Sequence, residues 1–93
     1  MTYRLEEMSL ELIDALVPLM PRIKQHDKSL EDQLRRAASS IGLNLAEAAG
    51  SARETQHALR QAIAWRYVTA RDAERALGLV RRLMDVLWRI TRG

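Results

Sequence analysis

The chain has no cysteine, no phenylalanine, only two prolines and no long uninterrupted apolar run. Without cysteine there are no disulfides and no thiolate metal ligands, which suits a reducing compartment. Aromatic residues are 4% of the chain while apolar residues are 47%. The core must therefore be built from Leu, Ile, Val, Ala and Met, a set suited to helices meeting at close range. No apolar stretch approaches the ~20 residues needed to cross a bilayer. The opening MTYRLEEMSL is acidic and amphipathic rather than basic and then apolar. The expectation is a soluble cytoplasmic protein with no membrane partner. Glycine-rich phosphate loops, zinc-ligand spacings and any nucleophile, base and orienting partner are also missing, so neither enzymatic chemistry nor a cofactor is expected.

What is present is length for one domain, residues 1–93, and a strong helical pattern. A chain this short buries only a modest fraction of its surface alone, so a partner subunit would help. Its charge is uneven. Residues 1–47 carry six Lys or Arg against eight Asp or Glu, and residues 48–93 carry nine Arg against four acids. Thirteen of the fifteen cations are arginine, whose planar fork suits phosphate or carboxylate and whose stem covers apolar surface.

Apolar periodicity of three to four residues predicts an all-α fold, an antiparallel helical bundle of the four-helix type with helices at about 3–23, 30–49, 52–66 and 70–91. In the first, Leu5, Met8, Leu12, Ala15 or Leu16, and Leu19 share a stripe. Pro18 predicts a kink, and Pro21 is expected to help end the helix. Ser29 is the expected N-cap of the second helix. Gly42 lies inside that helix and is expected to admit a close backbone neighbour. Thr69 and Asp72 form a capping arrangement before the last helix, in which Ala73, Leu77, Val80, Met84, Leu87 and Thr91 continue the stripe. Arg89 and Arg92 complement its C-terminal dipole. Trp65, Tyr67 and Trp88 are read as structural anchors rather than base-stacking platforms.

The run Gln33 to Glu47, QLRRAASSIGLNLAE, resembles the signature of the small bacterial four-helix bundle proteins associated with intervening sequences of large-subunit ribosomal RNA. The resemblance implies a helical bundle that forms homo-oligomers. Through a related group that assists retroelement reverse transcription as basic pentameric rings, it also implies RNA or DNA as a partner. The family's second helix ends soon after the Asn-x-Ala-Glu signature. Here about fifteen to twenty residues are missing from the centre, judged against helices of three or more turns. Two structures are open at this junction. Positions 41, 45, 48, 52, 55, 59, 62 and 66 keep step, which favours fusing the middle helices into one rod from 30 to about 66, roughly 55 Å long. Such a rod demands a second chain to complete the bundle, hence an intertwined dimer, with the family's pentamer as the other possibility. Alternatively, Gly50 caps one helix, Ser51 starts the next, and the chain turns back on itself.

Two constellations carry candidate function. Arg35, Arg36, Arg53 and Arg60 on the middle helices, with Arg71, Arg75, Arg81, Arg82 and Arg89 on the last, are the candidate nucleic-acid contacts, of low sequence specificity. Ser40, Asn44, Glu47, Ser51 and Glu54 recur at four, three, four and three residues. On a rod they would form a polar ridge, either an oligomer or ligand contact or a buried layer fixing helix register. Glu54 and His57 have the Glu-x-x-His spacing of di-metal bundles, but a lone pair makes no site and no metal is expected. The alternative to a nucleic-acid role is a purely structural assembly or scaffold module.

Overall fold

The structure, a computed structural model, describes residues 2–92 and the side chains of residues 4–91. The side chain of Arg92 lies outside them. The described residues form five helices and no strand: α1 (Thr2–Leu16), α2 (Met20–His26), α3 (Lys28–Ser40), α4 (Leu45–Ala64) and α5 (Glu74–Arg92). They pack into a body of 40 × 22 × 19 Å.

In the first helical segment Leu5, Leu12, Ala15 and Leu16 are buried, as their spacing predicts. The helix stops at Leu16 because Pro18 has no amide to donate. Leu19 is buried in the connecting turn, and helix resumes at Met20. Pro21 opens α2 rather than ending a helix. In the first helical turn its missing N–H leaves no bond unmade. Asp27 then adopts an extended conformation (φ −157°, ψ 91°), and its Oδ1 accepts a 2.9 Å hydrogen bond from the Leu30 amide. Asp27, not Ser29, is therefore the N-cap of α3.

The middle of the chain departs from both expected structures. There is no fused rod, and the turn is not at Gly50 and Ser51. Helix α3 ends at Ser40, the segment Ile41–Asn44 turns, and α4 runs straight through Gly50 and Ser51. Asn44 is the device that restarts the helix. It is extended (φ −150°, ψ 110°), and its Oδ1 accepts from the Ala46 amide at 2.9 Å. A four-residue turn leaves the apolar count in step, so periodicity alone reads straight across it.

Gly42 sits in that turn rather than in a helix, but the close neighbour expected of it is there. A Cβ on Gly42 would stand 2.6 Å from Ser9 Oγ and 3.9 Å from Glu6 Cα, which ties the turn to α1. At Gly50 a Cβ would meet nothing within 4 Å.

Helix α4 is the central element, packed on α3 and α5, while α1 packs on α3 and α5 and α2 on α3. The core side of α4 is made of small residues, Ala48, Ser51, Ala52, Thr55, Ala58 and Ala62, with Leu59 the largest buried there. Small side chains let helix axes approach closely. The bulk comes from the neighbours: Leu12, Leu34, Ile41, Val80, Leu83 and Leu87. The seam from Ala48 to Ala62 is thus covered by this chain's own helices. The reason a rod gave for a second chain, a stripe left bare, does not arise.

Candidate functional site

The nine candidate arginines are all exposed but do not gather on one face. Arg35 folds back along α3 onto the buried carboxylate of Glu31, its Nε donating at 3.1 Å, beside Met20, Pro21 and Lys24 of α2. Arg36 lines the groove between α3 and α4 with Gln33, Ser40 and Glu54. Arg53 lies in the groove between α4 and α5 beside Asp85. Arg75 reaches Asp14 of α1 at 3.3 Å, and Arg89 neighbours Arg4. Arg60, Arg81 and Arg82 stand on the outer surfaces of α4 and α5, and Arg71 on the turn before α5. Sequence neighbours such as Arg81 and Arg82 are 100° apart around a helix, so adjacency does not concentrate charge on one face.

The expected polar ridge is dismantled by the turn at Ile41–Asn44. Ser40 and Ser51 meet across the α3–α4 hairpin, Ser40 Oγ donating to Ser51 Oγ at 2.7 Å. Ser51 also offers its carbonyl to the buried Thr55 hydroxyl at 2.8 Å. These bonds satisfy the few polar atoms inside an alanine-rich seam. Asn44 spends its side chain on the cap, and Glu47 is exposed in the first turn of α4, where a carboxylate suits the helix dipole. Glu54 faces the groove with Arg36. Among the described residues no group of three or more His, Asp or Glu could hold a metal.

Two further regions matter. The first is the α4–α5 groove of about 380 Å³, lined by Ala49, Arg53, Met84, Asp85, Trp88 and Thr91. Where α4 begins, one turn before Ala49, Leu45 is 43% exposed, and Leu43 in the preceding turn is 82% exposed. Trp88, expected as an anchor, is 60% exposed.

The second is the pole where the α2–α3 corner meets the α4–α5 connection. Helix α4 ends there with Arg66 in the left-handed conformation at φ 68°. The Arg66 amide donates to Ile63 O and the Tyr67 amide to Ala62 O, each at 2.9 Å, a Schellman closure with arginine where glycine is usual. Tyr67 stacks against His26, with ring centroids 5.1 Å apart and planes 4° from parallel. Trp65 stacks on Tyr67 at 6.5 Å and 14°. The Tyr67 hydroxyl donates to Asp27 Oδ2 at 3.3 Å. Partial burial, and then the adjacent Asp27 charge and hydrogen bond, raise the Tyr67 phenol above its ordinary value.

The Thr69 and Asp72 arrangement forms as expected, Asp72 N donating to Thr69 Oγ1 at 3.0 Å and Thr69 N to Asp72 Oδ2 at 3.2 Å. Arg22 of α2 bonds the same carboxylate at 2.8 Å. Hydrogen bonds from Thr69, then Arg22, hold Asp72 below the usual carboxylate value.

Trp65, also expected as an anchor, is 65% exposed while stacked on Tyr67. The sequence does hold a signal for this pole: a tryptophan and a tyrosine either side of an arginine, in a segment with no apolar period.

In comparisons with known proteins, no family model, no curated protein and no solved structure matches the chain.

Proposed function

We propose that the chain is a non-enzymatic, cytoplasmic assembly module: an antiparallel bundle of the four-helix type, α1 and α2 forming one kinked member, that pairs with a second copy through the α4–α5 groove. The observation that carries this reading is the exposure of Trp88, which lines the groove, together with that of Leu43 and Leu45 where the chain enters α4 one turn before the groove residue Ala49. Large apolar groups gathered in this way mark interaction surfaces more often than singly scattered ones do. Among the described residues Arg53 and Asp85 have no ion-pair partner. In a two-fold contact across this groove, each would face the opposite charge of the other copy. The dimer proposed is a surface contact between folded protomers, not the swapped form that a rod would require.

The test is mass in solution by sedimentation, with Trp88→Glu and Leu45→Asp as interface variants of unchanged helicity. A concentration-dependent dimer that both variants dissociate supports the reading. A monomer at every concentration refutes it.

A second reading, low-specificity RNA or DNA binding, is supported by the exposure of all nine arginines. It agrees with the resemblance to the bundle proteins of ribosomal intervening sequences, which we propose as the chain's relationship. The Asn44 to Glu47 signature opens a helix here, whereas the family pattern places it near a helix end. Binding through these faces should weaken steeply with salt and with Arg81→Glu or Arg82→Glu.

A further inference from the structure

The pole at the α2–α3 corner and the α4–α5 connection combines features that no packing requirement explains together. Trp65 is one of two indoles on a chain poor in aromatics, yet it stands 65% exposed while stacked on Tyr67, whose other neighbour in the stack is His26. Arg66, between Trp65 and Tyr67, holds a backbone conformation that non-glycine residues avoid. Strain of this kind persists where the surroundings impose it, and it clusters at sites of function.

The two segments that meet at this pole are also rich in cations. Residues 22–28 and 65–72 hold five cations, Arg22, Lys24, Lys28, Arg66 and Arg71, against two carboxylates. That excess equals the net charge of +3 of the entire chain. Both carboxylates are occupied within the fold: Asp27 caps α3 and accepts from Tyr67, and Asp72 accepts from Thr69 and Arg22. These same bonds pin the two connections to each other, so the ring surface is set in place before any ligand arrives.

We propose that this pole is a docking platform for single-stranded nucleic acid, a base stacking on Trp65 and the flanking phosphates meeting Arg66 and its cationic neighbours. A ligand that offers planar π-faces and a run of negative charge matches both halves of the surface, and a single strand presents the two together. A duplex keeps its base faces covered. The inference rests on the nucleic-acid reading given second above, and it moves the contact from the helix faces to the pole.

The experiment uses the full chain and fluorescein-labelled oligomers of about twelve nucleotides: oligo-U, oligo-dT, and an oligo-dA·dT duplex. Anisotropy at low salt gives the affinities, measured for the parent chain, Trp65→Ala, Trp65→Phe, Arg66→Gly and the double variant Arg81→Glu/Arg82→Glu, with circular dichroism confirming helicity. Either single strand should bind at least about tenfold more tightly than duplex, and the ratio of oligo-U to oligo-dT reports whether RNA or DNA is preferred. Trp65→Ala should weaken binding about 5- to 150-fold, the worth of one stacked base. Trp65→Phe should keep most of the affinity, and Arg66→Gly should lower it. If Trp65→Ala binds within twofold of the parent while the double variant loses affinity, the platform is refuted and the helix-face reading stands. Equal affinity for duplex also overturns the platform. Absence of binding by the parent chain at low salt overturns both.

Discussion

Replacing Arg66 by glycine should make the protein more stable, although it removes a full side chain. The residue sits at φ 68°, closing α4 with two 2.9 Å bonds. A left-handed non-glycine residue is disfavoured by roughly 1–2 kcal/mol. Glycine recovers that term but loses part of it, roughly 0.5–1 kcal/mol, through the greater freedom of the unfolded chain. Little else is forfeited, since the Arg66 side chain is exposed and makes one 3.5 Å contact, to Ala64 O. The net expectation is a gain of about 0.5–1 kcal/mol. For a domain of this size that raises Tm by about 2–8 °C. Thermal unfolding followed by circular dichroism measures it. Arg66→Ala is the necessary companion, because it removes the same charge and stem while keeping a Cβ in the left-handed region. It should melt close to the parent. A glycine variant that melts at or below the parent, or an alanine variant stabilised equally, would show that backbone strain is not what Arg66 contributes.

The other predictions concern the turn, the caps and acid. Gly42→Ala should destabilise by about 1–3 kcal/mol, because the new methyl stands 2.6 Å from Ser9 Oγ; adding Ser9→Ala should recover part of the loss, seen as a coupling term in urea unfolding. Asn44→Ala should lose about 1 kcal/mol of stability as a lost N-cap, while Ser29→Ala stays within about 0.5 kcal/mol of the parent; equal effects would contradict the assignment of the caps. Asp72 is held below its ordinary value, so its contribution is present above the unfolded-state pKa of about 4 and is lost as pH falls through the lower folded-state value. The profile of Tm against pH should therefore fall less below about pH 4 in Asp72→Asn than in the parent, the two curves running parallel above about pH 5; an unchanged acid limb would refute the coupling.

Much of the fold was legible from spacing. The stripe Leu5, Leu12, Ala15 and Leu16, the pair Thr69 and Asp72, and the burial of Ala73, Val80 and Leu87 all follow from period and local chemistry, whereas the kink expected at Pro18 within one helix 3–23 is a full break into α1 and α2. The α3–α4 boundary did not follow, because Ile41 and Ala48 are both buried and seven apart, which an unbroken helix would also give. The signal that does separate the cases is Asn44 with Glu47 three residues on, a helix-start pattern. Read as part of a ridge, those residues gave away nothing about the turn. Pro21 misled in a related way, since proline is as much at home in a first turn as beyond a last one. The candidate site was less legible. Arginine positions can be counted on each helix, but their dispersal around the body depends on how four packed surfaces are shared. The meeting of His26 with Tyr67, forty-one residues apart, depends on two connections falling at one end.

The hairpin at Ile41–Asn44 also brings the start of α1 and the end of α5 to one extremity. Arg4 borders Val86, Arg89 and Ile90, so the first turn of α1 and the last turns of α5 share the extremity that carries Leu43, opposite the stacked rings. A short peptide joining residues 2 and 92 would span neighbours, and opening the loop at Leu43 instead should yield a circular permutant with the same interior.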